Sequence, residues 1–198
     1  MIQSTEFTWL HLPRTGGTST AAAFRNFQNQ LPTNEHDALL IDDCSLPMKH
    51  DNFSIRSARL EKNMQPLKIV MNIRPLGEWL HSNWKWACVN KRTLSSARYE
   101  AGEYFSWRLN SWRPADWWLD YFEIDMHNTH FIRLSHLQED WREFLENHTS
   151  YDSKKLIFSH LNGIQSAHVS RSSMESTAEA KRRNPKWSAI ESQLWPDR

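Results

Sequence analysis

Cysteine is scarce in this chain. Cys44 and Cys88 are the only two in 198 residues; they make neither a disulfide framework nor a metal site, and a reducing compartment suits such usage. Long apolar runs are missing as well. No stretch approaches the roughly 20 residues that span a bilayer, and the opening MIQSTEF has neither the charged nor the apolar region of a secretory leader. An excess of one charge is also absent. Lys and Arg number 24 against 23 Asp and Glu, a formal net charge of +1, which argues against bulk attraction to nucleic acid or acidic membranes and leaves room only for a local basic pocket. No basic stripe or reader motif for nucleic acid occurs, and no internal repeat or low-complexity linker. The expectation is one soluble, cytoplasmic domain over residues 1–198, large enough for a real core.

What is present is a balanced composition, 39% hydrophobic and 24% charged, with an unusual 11 tryptophans. Tryptophan fills cores, and it also stacks on flat or sugar-like ligands. Residues 7–12 read as a buried strand. Thr20, Ala23, Phe24 and Phe27 then follow the i, i+3, i+4, i+7 stripe of a helix, which LPTNEHD at 31–37 breaks. Further strands are expected at 38–41, 67–73 and 129–134, and a helix at 77–90. Residues 92–128 read as mostly helical. Ser135 with Gln138 gives a capping-box signature before a helix facing Leu137, Trp141, Phe144, Leu145 and His148. Residues 165–187 read as a long polar loop, or as a segment ordered by a ligand. Strands alternating with helices predict an α/β fold with a mostly parallel sheet, whose ligands sit beyond the C-terminal ends of the strands.

One such end carries FTWLHLPRTGGTST, residues 7–20. A helix N-terminus has unpaired N–H groups and partial positive charge. Gly16 and Gly17 let the backbone close on an anion, Thr18, Ser19 and Thr20 add hydroxyls, and Arg14 adds a fixed charge with a donor fork. Together they make an anion cradle.

The order of these residues resembles the 5′-phosphosulfate loop of sulfotransferases, commonly PKTGGTS, so Arg14, Thr15, Gly16, Gly17, Thr18, Ser19 and Thr20 align with donor-binding positions. A second stretch, NIRPLGEWLHS, resembles the family's 3′-phosphate motif: Arg74 ends a strand and Ser82 follows eight residues on. It departs from the family in lacking the usual Asp before Pro75 and in having Trp79 where a second arginine is usual. THFIRLSHLQEDWREFL, FSHLNGIQ and AIESQLWPDR resemble later family segments more loosely. The resemblance spans most of the chain. It implies a P-loop-like three-layer fold, with helices flanking a central mostly parallel sheet, and transfer of a sulfuryl group from 3′-phosphoadenosine 5′-phosphosulfate (PAPS) to a hydroxyl or amine. The acceptor would be a small molecule or carbohydrate, the product adenosine 3′,5′-bisphosphate (PAP), and no metal is needed.

Arg14 stands where most of the family has lysine, which shifts its implied role from proton donor to electrostatic clamp. The base that takes the acceptor proton falls, by resemblance, on Glu35, His36 or His50, with the choice open. Arg171, Ser172, Lys181, Arg182 and Arg183 are candidates to close over the nucleotide. Trp79, Trp84, Trp86, Trp107, Trp112, Trp117 and Trp118 are candidates to wall the acceptor site. Two other readings stand beside this one. A P-loop kinase or NTPase would use Asp42 of ALLIDD on magnesium, but TGGTST lacks the lysine its loop needs. A nucleotide-binding protein without catalysis is the third.

Overall fold

In the computed structural model, which describes residues 1–33, 39–41, 50–52, 54–55, 68–91 (backbone alone for 84–91), 115–158 and 178–196, the run IVMNI lies inside a five-stranded sheet. The strands are β1 (Ile2–Ser4), β2 (Thr8–Leu10), β3 (Leu39–Ile41), β4 (Ile69–Ile73) and β5 (Thr129–Arg133). Their spatial order is β3-β1-β2-β4-β5. β2 pairs parallel with β4, and β4 with β5, whereas β1 is antiparallel to both its neighbours. Four strands therefore share one direction and β1 alone opposes them, so the sheet is mixed but mostly parallel. β1 is a strand that the sequence reading did not anticipate. Its reversal is built locally: Ser4 Oγ accepts from the backbone N–H groups of Glu6 and Phe7, at 3.0 and 2.9 Å, closing a tight turn into β2.

The chain divides into two compact units, one of residues 1–73 and 122–163, the other of residues 74–121 and 164–198. The first holds the whole sheet, with α1 (Gly17–Gln28) and α4 (Leu137–His148). The stripe expected for α1 is its buried face: Thr20, Ala23, Phe24 and Phe27 are all buried. It meets α4 through Phe24 and Trp141, whose rings are 4.8 Å apart and nearly perpendicular, a favoured aromatic geometry. Phe7, Trp9, Val70, Ile132 and Phe144 complete this core. The register Trp9↔Val70 and Asn72↔Ile132 puts those side chains on one face of the sheet.

The capping box expected at Ser135 and Gln138 does not form. The N-cap of α4 is His136, with no side-chain cap. Gln138 instead reaches residues 156–158, donating to Leu156 O at 2.7 Å and accepting from Phe158 N at 3.0 Å. Satisfying the backbone of that returning loop wins over the local cap.

In the second unit, α2 (Leu76–Lys91), α3 (Ala115–Tyr121), a helical stretch at 178–183 and α5 (Pro185–Leu194) carry reciprocal caps. Glu191 of α5, buried, accepts from Leu76 N at the start of α2 (3.0 Å) and pairs with Lys181 (3.1 Å). Asp116 of α3 accepts from the N–H groups of Lys186 and Trp187 in the first turn of α5, and Asn184 accepts from Asp116 N. Trp79 and Trp187 pack at 5.0 Å. Of the loop expected at 165–187, residues 165–177 lie outside the described residues, and 178–183 and 185–187 are helical, with Asn184 between the two helical stretches. Their apolar anchors, Ala180, Trp187 and Ile190, are too widely spaced among polar residues to announce a helix in the sequence.

Candidate functional site

The chain leaves the C-terminal end of β2 through His11, Leu12 and Pro13, turns at Arg14 and Thr15, and enters α1 at Gly17. Two residues of the turn have left-handed backbones: Arg14 at φ 65° and Gly16 at φ 82°. Gly16 meets this at no steric cost, whereas Arg14 carries a side chain there, a conformation uncommon outside glycine. A Cβ on Gly16 would also come within 2.5 Å of Leu134 Cδ1. Gly17 is constrained for a different reason. Its Cα faces the buried ring of His11, which leaves no space for any side chain.

The hydroxyls of the loop divide into two sets. Thr15 is buried and donates to Leu12 O at 2.9 Å. Thr20 is buried and donates to Gly16 O at 3.2 Å. These two hold the loop's shape. Thr18 is exposed and Ser19 half-buried on the first turn of α1, and the side chain of Arg14 is exposed.

Beneath the loop lies Asn72 of β4, fully buried. Its Nδ2 donates to Thr15 O (3.1 Å) and Thr20 Oγ1 (2.7 Å), and its Oδ1 accepts from the indoles of Trp9 (3.1 Å) and Trp141 (3.2 Å). An indole N–H only donates and a backbone carbonyl only accepts, so the amide has one possible orientation. Reading the sequence as an apolar strand passed over Asn72. The available signal was one amide inside IVMNI, since a polar group buried in a sheet must find partners.

His50 stands at the start of the loop. Its Nδ1 is 2.8 Å from His11 O. The carbonyl can only accept, so Nδ1 carries the proton and Nε2 is the basic nitrogen of the neutral ring. The two imidazoles are 4.8 Å apart, and His11 in turn stacks on Trp9 at 5.2 Å. Of the three base candidates, His50 is the one the structure describes; Glu35 and His36 lie outside the described residues, as do Asp42, Arg171 and Ser172.

In the second unit, Arg74 is buried and donates to Glu78 Oε2 at 3.3 Å. Its carbonyl accepts from the Trp187 indole at 3.2 Å. Ser82, half-buried, is four residues beyond Glu78 and shares its face of α2. Of the charges expected to close over a nucleotide, the three within the described residues have carboxylate partners. Arg182 and Arg183 both hold Glu179, pulling its carboxyl down to about 2, and Lys181 holds Glu191. Of the tryptophans proposed as an acceptor wall, Trp79 is buried against Trp187, and Trp117 stacks on Tyr121 at 4.9 Å and 11°. Trp107 and Trp112 lie outside the described residues, as do the side chains of Trp84 and Trp86.

No protein-family model, curated protein or solved structure matches this chain. Among the described residues, no helix is long and apolar enough to cross a membrane.

Proposed function

We propose that the protein is a sulfotransferase of P-loop-like fold that moves a sulfuryl group from PAPS to an acceptor hydroxyl or amine. The observation that carries this reading is the PRTGGTS sequence, residues 13–19, which runs from the turn after β2 into the first turn of α1. Loop backbone N–H groups and the Arg14 guanidinium suit the 5′-phosphosulfate. By resemblance, Arg74 and Ser82 take the 3′-phosphate.

In this scheme the acceptor oxygen attacks sulfur in line. The bond from sulfur to the bridging phosphate oxygen breaks, and PAP leaves with the electron pair. His50 Nε2 takes the acceptor proton, its tautomer fixed by the bond to His11 O. Negative charge gathers on the departing phosphate, where the loop N–H groups and Arg14 act. Arg14 keeps its proton, so it stabilises charge and does not serve as the acid.

Calorimetric titration with PAP, with ATP and magnesium in parallel, tests the donor assignment. A screen of phenol, sugar and amine acceptors with PAPS then tests turnover. Preference for ATP with magnesium supports the kinase reading instead. Tight PAP binding without turnover on any acceptor supports a binding protein instead.

A further inference from the structure

We infer that Asn72 is the positioning residue of the loop: its amide fixes which way the Thr15–Gly16 peptide faces, and through it the anion affinity of the loop. The inference rests on the sulfotransferase reading only for the identity of the anion.

The argument begins with peptide geometry. A trans peptide is planar, and its C=O and N–H point in opposite directions. Asn72 Nδ2 holds the Thr15 carbonyl toward the interior, so the N–H of Gly16, on the same peptide, points outward. The next peptide is set the same way. Gly16 O accepts from Thr20 N at 3.0 Å and from Thr20 Oγ1 at 3.2 Å, which turns the N–H of Gly17 outward too. Asn72 contributes here as well, because the Thr20 hydroxyl that donates to Gly16 O accepts from Asn72 Nδ2. Two successive outward N–H groups beside a left-handed glycine form a concavity suited to anion oxygens. Asn72 does not line it; it acts from below, and its Oδ1 is locked by Trp9 and Trp141, so the amide cannot rotate without leaving two buried indoles unpaired.

Asn72→Asp is the informative substitution. A carboxylate still accepts from both indoles but cannot donate, so it repels the Thr15 carbonyl and attracts the Gly16 N–H. The peptide is expected to flip, and one outward donor is lost. Two readouts separate positioning from stability. The first is PAP affinity, expected to fall about tenfold or more. Trp141→Phe, which removes an indole donor and leaves both Nδ2 contacts, should lower Tm with PAP affinity within about twofold of wild type. The second readout needs no ligand: the Gly16 amide resonance, which in Asn72→Asp should shift downfield and exchange more slowly as its N–H turns to the carboxylate. Should Asn72→Asp not fold, Thr20→Val removes the hydroxyl that relays Asn72 to Gly16 O in nearly the same volume, and the Gly17 amide resonance should move. Unchanged glycine amides in these variants overturn the inference, as does a loss of PAP affinity that tracks Tm equally in Asn72→Asp and Trp141→Phe. If wild type does not bind PAP, the donor assignment fails, and the amide resonances still decide the role of Asn72.

Discussion

His11 fills the space that any side chain at Gly17 would need: a Cβ there would lie 1.7 Å from His11 Nε2. The ring has little freedom to retreat, being buried, stacked on Trp9 and in contact with His50. Gly17→Ala should therefore cost about 1–3 kcal/mol, the usual range for overpacking. It should also disturb the first turn of α1, so PAP affinity should fall with it. Chemical denaturation and calorimetry on the same variant check both effects.

Arg74 and Glu78 form a partly buried ion pair in the second motif. If Arg74 serves the 3′-phosphate, Glu78 competes for it. Glu78→Gln should then tighten PAP binding by about two- to fivefold, the equivalent of a modest ion pair of about 0.5–1 kcal/mol. Weaker binding in this variant would mean that Glu78 orients the arginine instead of occupying it.

Asp116 receives two N–H groups from the first turn of α5. Asp116→Ala should cost about 1–2 kcal/mol, as the loss of a helix cap does. Asp120 pairs with Lys186 at the surface, where solvent screens the charges, so Asp120→Ala should change stability much less than Asp116→Ala. Equal losses in the two variants would contradict the capping account.

How much of this was legible in the sequence depended on whether the signal was local. The stripe through Phe24 and Phe27 and the apolar run of β4 are periodic signals, and both elements formed where expected. β1 is three residues long and includes Gln3 and Ser4, too short and polar for a pattern. Ser135 and Gln138 had the spacing of a capping box, but a partner 18 residues away took Gln138. The loop was legible because glycine, arginine and hydroxyl residues adjoin in sequence. Its support was not, because Asn72 is joined to Thr15 and Trp141 only through the fold, across 57 and 69 residues.

Burial, with the adjacent His148 and Lys68 adding to it, holds the pKa of His130 below its usual 6.5, against the opposing pull of Asp140 and Glu143. The sign follows from proton counting. Below pH 6.5 the unfolded chain takes up a proton that the folded chain resists, so this group's stabilising contribution is complete above that pH and is lost as pH falls through the lowered folded value. His130→Gln should flatten the stability profile on the acid side of pH 6.5 and leave its slope above pH 7 unchanged. Denaturation curves across that range provide the comparison.

The most direct measurement is calorimetric titration of wild type and Arg14→Ala with PAP and, separately, with ATP and magnesium. The sulfotransferase reading predicts PAP binding on the order of micromolar, clearly weakened in Arg14→Ala, with ATP and magnesium bound poorly or not at all. Binding of ATP with magnesium and none of PAP would contradict it, and the loop between β2 and α1 would then be a phosphate cradle of another kind.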